Sequence, residues 1–179
     1  MAETLIDTYN ESNWNTGDTV YSAYPMHYQS FTGKYILTSC KFYFKKVGSP
    51  TGSMTARLYA HSGTFGTSSI PTGPALAESG SIDVSTLSGT TKALITFNFT
   101  GANRYKMVDG TKYCIVIYYD GGNSSNYVEF AIDTSSPTHG GNRGWYTQST
   151  STWTADSGGD GIFYVYGIPP TNASILMLL

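Results

Sequence analysis

Charged residues are scarce in this chain, and their scarcity argues against one class of partner. They make up 12% of the 179 residues, about half of the ~25% that is usual in soluble domains. The net charge is −2, and no basic run is longer than Lys45-Lys46. A surface that follows nucleic acid phosphates needs clustered positive charge. We therefore expect no nucleic acid partner.

Cysteines and long apolar runs are also scarce. Cys40 and Cys114 lack the spacing of a zinc motif. Free buried thiols are the favoured interpretation, and a cross-strand disulfide is the alternative. The longest apolar stretch, Ile175 to Leu179, is far too short to span a bilayer. The N-terminus has neither the basic nor the apolar region of a secretory signal, so we expect no signal peptide and synthesis in a cytoplasm.

Catalytic and metal-binding patterns are missing as well. The three histidines stand apart, without a G-x-S-x-G, H-E-x-x-H or Walker A pattern. Four aspartates beside turns could contribute to a calcium site, but no Asp-x-Asp-x-Asp ladder is present, and turn capping explains them better. We therefore predict a non-enzymatic protein without a cofactor or metal. The residues considered are His27, His61 and His139, and Asp18, Asp120, Asp156 and Asp160.

The sequence is instead rich in Gly, Ser, Thr, Asn and Tyr, and its apolar residues alternate as in β-strands. The clearest β-strand pattern lies in Lys112 to Asp133, where two apolar runs flank the turn-forming residues DGGNSS. This pattern predicts a β-hairpin. In its second strand, Val128, Phe130 and Ile132 are expected to face the core, and Tyr127, Glu129, Ala131 and Asp133 the solvent.

Other stretches extend the same pattern. The longest predicted strand is Tyr35 to Lys46, and Gly48 to Gly52 is expected to close a hairpin into Ser53 to Ala60. His61 to Ser79 is rich in Gly and Pro, so it is expected to be a long loop. Residues 145–148 and 151–154 predict a small aromatic hairpin.

About nine such strands, with no amphipathic helix, predict an all-β fold. The expected architecture is an antiparallel β-sandwich of the jelly-roll type, because the connections vary too much in length for an up-and-down barrel. Residues 13–167 would form the sandwich. Residues 1–12 would be an N-terminal arm or a first strand, and residues 168–179 a C-terminal apolar arm.

Several segments of the sequence, taken in chain order, resemble a jelly-roll module of phage virion and surface proteins. The resemblance covers residues 13–167 and implies a non-catalytic domain, similar in architecture to carbohydrate-binding modules. It implies no particular ligand and carries over no catalytic residue. The segments that carry the resemblance are QSFTGKYILTSCKFYFKKVGSPTG, ARLYAHSGTFGTSSIPTGPALAES, IDVSTL, GTKYCIVIYY, SSNYVEFAIDTSSPTHGGN and FYVYG.

Aromatic residues near the small hairpin suggest a glycan site. Flat aromatic faces stack on sugar rings, and neighbouring amide and guanidinium groups bind hydroxyls. The alternative is that Trp145 and Trp153 pack on each other across the hairpin and seal one end of the sandwich. The candidate ligand-binding residues are Trp145, Tyr146, Trp153, Tyr127, Asn142, Arg143 and Gln148.

The apolar C-terminus suggests assembly. Pro169-Pro170 breaks strand pairing, and the following ASILMLL has no charge. This segment would dock on its own domain or add to a neighbouring subunit. The candidate interface residues are Ile175, Leu176, Met177, Leu178 and Leu179, with Leu5 and Ile6 at the other terminus.

Two functions are therefore expected. The first is a structural protein of a virion or surface assembly, such as a phage capsid-decoration or tail component. Its partners would be other copies of itself or neighbouring subunits, and it would reside on the virion or an extracellular surface. The second is a carbohydrate-binding, receptor-binding or adhesin domain with a cell-surface glycan as partner.

Overall fold

The computed structural model describes residues 2–170, and these residues form a β-sandwich. They contain fourteen strands, more than the nine predicted, and three short 3-10 helices at Glu11–Asn13, Val84–Thr86 and Gly101–Asn103. The strands are β1 (Thr4–Tyr9), β2 (Thr16–Val20), β3 (Met26–Thr32), β4 (Ile36–Val47), β5 (Ser53–Ser62), β6 (Ile70–Glu78), β7 (Ile82–Asp83), β8 (Ala93–Asn98), β9 (Lys112–Tyr118), β10 (Tyr127–Asp133), β11 (Arg143–Thr147), β12 (Thr152–Asp156), β13 (Asp160–Gly161) and β14 (Phe163–Ile168).

The strands form two antiparallel sheets. The first sheet has the order β1-β14-β4-β10-β13, with β2 paired to β10 and β8 to β4. The second has the order β12-β11-β3-β9-β5-β6, with β7 paired to β5. The all-β, antiparallel sandwich expected from the sequence is therefore confirmed.

Phenylalanines dominate the core between the sheets. Phe42 of β4 packs against Phe97 of β8 and Phe130 of β10, with ring centroids 6.1 and 5.6 Å apart. All three are buried because alternate residues of each strand point to the same face. The inward side predicted for β10 is thus confirmed at Phe130.

A second apolar cluster lies on the opposite face of the second sheet. Tyr28, Cys114 and Val116 are fully buried there, and Tyr59 and Trp153 pack against them. The sheet curls far enough that its two edge strands, β12 and β6, approach each other. This curvature explains how a face turned away from the main core is covered.

The predicted hairpin from Lys112 to Asp133 is wrong. β9 belongs to the second sheet, where it pairs with β3 and β5, whereas β10 pairs with β4 and β2 in the first. The tight turn itself exists, since Asn123 and Asn126 exchange backbone hydrogen bonds. The connection nevertheless crosses between sheets. Gly48 to Gly52 likewise joins β4 and β5 across the sandwich and closes no hairpin.

The solvent-facing assignment of β10 also needs correction. Asp133 is buried, and its carboxylate is paired within the protein. It accepts a hydrogen bond from the hydroxyl of Tyr9 at 2.7 Å and another from the side-chain amide of Asn15 at 3.0 Å. Ala131 is buried as well. Burial alone would raise the pKa of Asp133, but the hydrogen bonds from Tyr9 and Ser135 bring it below its usual value.

The predicted loop from His61 to Ser79 contains a strand. β6 includes Pro71, Gly73 and Pro74, residues that normally argue against a strand. It lies at the edge of the second sheet, where a missing N–H is tolerated, and its pairing with β5 shifts register between Leu58 and Ala60.

At the N-terminus, β1 is an edge strand of the first sheet, paired with β14. Of the two candidate interface residues there, Leu5 is 45% exposed and Ile6 packs against the core. The C-terminal candidates, residues 175–179, lie outside the described residues. Within residues 2–170, no helix has the length and apolar composition needed to cross a bilayer.

Candidate functional site

The small aromatic hairpin is formed by β11 and β12, and it separates the two tryptophans. Trp145 lies opposite Thr154, and Tyr146 lies opposite Trp153. Because neighbouring residues of a strand point to opposite faces, Trp145 is on one face of the hairpin and Trp153 on the other. Packing of Trp145 on Trp153 across the hairpin, the alternative expected from sequence, is therefore wrong.

Trp153 packs against the second apolar cluster, on the face of the second sheet turned away from the main core, and Tyr146 contacts Trp153. The ring of Trp153 makes edge contacts with Tyr146, Tyr28 and Tyr59, at centroid distances of 5.1, 5.5 and 6.3 Å. Such geometry is typical of packed aromatic side chains. We therefore assign Trp153 chiefly to the structure of this face.

Asn142 is not available to a ligand. It is 0% exposed, its side-chain oxygen accepts from the backbone N–H of Ser69 at 3.1 Å, and its Nδ2 donates back to the Ser69 carbonyl at 3.2 Å. This pair of bonds fixes the start of β6 against β11. Gln148 is exposed in the turn after β11, and Tyr127 lies in the other sheet. The seven predicted ligand residues consequently do not form one site.

Two of them, Arg143 and Trp145, do line a common cleft of about 220 Å³. The cleft lies between the sheets, where β2 of the first sheet faces β3 and β11 of the second. Trp145 contributes an aromatic wall and is only partly buried. The six lining residues are Asp18, Thr19, Tyr24, His27, Arg143 and Trp145.

Arg143 is held between two carboxylates. Its Nη1 contacts Asp18, its Nη2 lies 2.7 Å from Oδ2 of Asp156, and its guanidinium carbon lies 5.4 Å from the ring centre of Trp145. A buried guanidinium is tolerated when it is paired in this way. Burial would raise the pKa of Asp18, but His27 and Arg143 together lower it below its usual value.

His27 is the unusual member of the cleft. Its side chain is 4% exposed, and its Nδ1 lies 3.4 Å from Oδ2 of Asp18 in poor alignment. Neither ring nitrogen finds a hydrogen-bond partner among residues 2–170. Leaving a buried polar group unpaired costs about 1–3 kcal/mol. Native proteins rarely keep such a group without a functional or solvent-bridging reason.

His139 shows what a fully paired histidine looks like in the same fold. Its Nδ1 accepts from the backbone N–H of Gly141 at 3.0 Å and lies 3.1 Å from Nε2 of Gln29. Its Nε2 lies 3.1 Å from Oδ1 of Asp7. Burial raises the pKa of Asp7, but the contact with His139 brings it below its usual value. This network ties β1 to β3, and we assign it to structure.

A larger groove of about 580 Å³ lies elsewhere, between Tyr35, Met107 and Pro170. Val108 on its wall is 62% exposed. Pro170, at one side of the groove, is the last described residue. The groove has no unpaired buried polar group comparable to His27 within residues 2–170. The cleft is therefore the better candidate site.

The aspartates considered for calcium have protein partners. Asp18 and Asp156 pair with Arg143, Asp160 accepts from Gln29 at 3.0 Å, and Asp120 accepts from the hydroxyl of Tyr118 at 2.7 Å. In the part of the chain that the structure describes, no three His, Cys, Asp or Glu side chains are grouped so that they could hold a metal ion.

The cleft unites residues that sequence reasoning considered separately or not at all. The sequence predicts Arg143 and Trp145 as ligand residues, whereas His27 stands out only as a histidine without a catalytic motif and Asp18 as a turn-capping residue. Asp18 and Arg143 are 125 positions apart, so no local spacing connects them. Comparison with known proteins adds no assignment: no protein-family model matches this chain, and no curated protein matches it either.

Proposed function

We propose that this protein is a non-enzymatic carbohydrate-binding protein and that the cleft around His27 and Trp145 holds a sugar ring. The observation that carries the proposal is the buried imidazole of His27, whose ring nitrogens have no hydrogen-bond partner within residues 2–170, beside an aromatic wall. Sugar rings combine an apolar face with hydroxyls that both donate and accept hydrogen bonds. Such a ligand matches an aromatic residue next to unpaired polar atoms.

The size of the cleft favours a small ligand. Its volume of about 220 Å³ is below the roughly 300–1,000 Å³ of pockets for drug-sized molecules. One sugar ring, or the terminal residue of a longer glycan, would fill it. Thr19 and Tyr24 add hydroxyls at the same opening. The remainder of a glycan would extend into solvent.

A glycan array tests the proposal with wild type and His27→Phe. Phenylalanine approximates the ring volume and removes both unpaired nitrogens, so the variant should fold at least as stably as wild type. We expect wild type to bind some glycans and His27→Phe to lose at least about tenfold in affinity, equivalent to about 1.4 kcal/mol.

The matched control is Trp14→Ala. Trp14 is an exposed aromatic residue, 42% accessible, that packs against Tyr43 and Lys92 away from the cleft. Its removal should leave binding unchanged, which excludes general aromatic adhesion. The proposal is wrong if folded wild type binds no glycan, or if His27→Phe binds as well as wild type.

A second proposal is a structural role in a virion or surface assembly, with neighbouring copies or subunits as partners. It is supported by β1, whose outer edge has no strand partner within residues 2–170 and which exposes Leu5. The apolar candidates at residues 175–179 belong to the same hypothesis. Light scattering of wild type, Leu5→Asp and a variant lacking residues 173–179 tests it. Unchanged particle size in both variants contradicts it.

A further inference from the structure

The charges around the cleft restrict the kind of sugar that fits. Arg143 is the one permanently positive side chain among the six lining residues. It faces two negative carboxylates, Asp18 within the cleft and Asp156 behind it. Arg143 and the two carboxylates that it pairs with together carry a formal charge of −1. The arginine therefore does not make the cleft an anion site, because carboxylates of the protein already balance its charge.

The geometry of Arg143 leads to the same conclusion. Arginine binds a carboxylate most strongly through two parallel N–H donors. In this protein Nη1 is directed at Asp18 and Nη2 at Asp156, while Nε is buried beside Gly159 without a hydrogen-bond partner within residues 2–170. Both terminal nitrogens that could hold the acidic group of a ligand thus already contact carboxylates of the protein.

We infer that the cleft selects uncharged saccharides and discriminates against acidic ones such as uronic acids, sialylated glycans and sulfated sugars. The inference rests on the proposed carbohydrate-binding function. A ligand hydroxyl can accept from one group and donate to another, so it can satisfy His27 and Asp18 together. A ligand carboxylate or sulfate can only accept, and it would meet the Asp18 carboxylate at close range.

The experiment compares sugars that differ only in an acidic group. The pairs are galactose with galacturonic acid, lactose with sialyllactose, and N-acetylglucosamine with its 6-sulfate, each titrated calorimetrically at low salt. We expect the neutral member to bind at least about tenfold more tightly, because like charges a few ångströms apart in a partly buried site repel strongly. High salt should narrow the difference.

Asp156→Asn tests the origin of the selectivity. Asparagine keeps the shape and can still accept from the backbone N–H of Gly158, as Asp156 does at 2.9 Å. The substitution removes the negative charge of one of the two carboxylates that pair with Arg143. The affinity for acidic sugars should therefore rise several-fold, while the affinity for neutral sugars should change little. Glu78→Gln is the matched control. It removes a carboxylate that pairs with Arg57 at 3.1 Å, in strands that do not line the cleft.

The outcomes separate this inference from the proposed function. Binding of neutral sugars with weaker binding of their acidic partners supports both. Equal binding within each pair, or tighter binding of the acidic member, overturns the inference and leaves the carbohydrate-binding function standing. If no member of any pair binds to folded wild type and the glycan array is also blank, the proposed function fails and the inference fails with it.

Discussion

The two tryptophans of the β11–β12 hairpin should respond to mutation in opposite ways. Trp145 lines the cleft, and its ring contacts the Arg143 guanidinium. Trp153 is on the other face, in edge contact with three tyrosines. Trp145→Ala should therefore weaken sugar binding, and Trp153→Ala should weaken the fold.

The magnitudes follow from these contacts. Each aromatic pair contributes about 0.5–1.5 kcal/mol beyond its burial, so losing the three contacts of Trp153 costs about 3 kcal/mol. For a domain of this size that lowers Tm by about 6–12 °C. Trp145 loses one cation–π contact of about 0.5–1 kcal/mol, and Tm should fall by only about 1–4 °C.

Differential scanning calorimetry and sugar titration of both variants supply the test. Trp145→Ala should reduce affinity at least about tenfold, equivalent to about 1.4 kcal/mol. Trp153→Ala should bind as wild type does, at a temperature where it is folded. The reverse result, with binding lost only in folded Trp153→Ala, would refute the reasoning and move the site to the outer face of the second sheet.

Three further predictions concern the scaffold. Gly144→Ala should destabilise the protein by about 3 kcal/mol or more in urea unfolding, because a Cβ there would strike the Thr154 carbonyl; a loss below about 1 kcal/mol would contradict this packing. Cys40 and Cys114 are free and buried, and burial raises the pKa of both thiols. A thiol reagent should therefore label them only after denaturation, and rapid native labelling would be inconsistent with that burial. The folded pKa of Asp18 lies below its ordinary value of 3.8, so the stability that the ionised Asp18 contributes is complete above pH 3.8 and disappears as the pH falls through the folded pKa. Asp18→Asn should therefore reduce the fall of Tm with decreasing pH in the acid range. An unchanged dependence of Tm on pH would show that Asp18 makes no such contribution.

The fold was predictable because alternation and turn chemistry are local signals. The inward positions of β4 and β10 follow from a period of two residues, and the turn at Asn123 to Asn126 follows from its composition. The partner of each strand was not predictable in the same way. A tight turn can join strands within one sheet or lead across to the other, and the turn residues are alike in both cases.

The candidate site was only partly predictable, for the same reason. Residues near Trp145 in sequence were expected to join it in one site, yet β-sheet geometry turns its neighbour Tyr146 to the other face. The residues that line the cleft with Trp145 include His27 and Asp18, which lie on strands far from Trp145 in the sequence. Neither residue has a sequence context that distinguishes it from an ordinary loop histidine or turn aspartate.

The most direct test of the cleft as a sugar site uses the three tryptophans, Trp14, Trp145 and Trp153, as internal probes. They lie in three separate environments, so their indole N–H signals in a proton–nitrogen correlation spectrum report on each independently. The spectrum would be recorded while adding galactose, glucose, mannose and N-acetylglucosamine in turn. We predict that at least one sugar shifts the Trp145 signal progressively and leaves those of Trp14 and Trp153 in place. Shifts confined to Trp14 or Trp153, or no shift with any of the four sugars, would contradict a sugar site at the cleft.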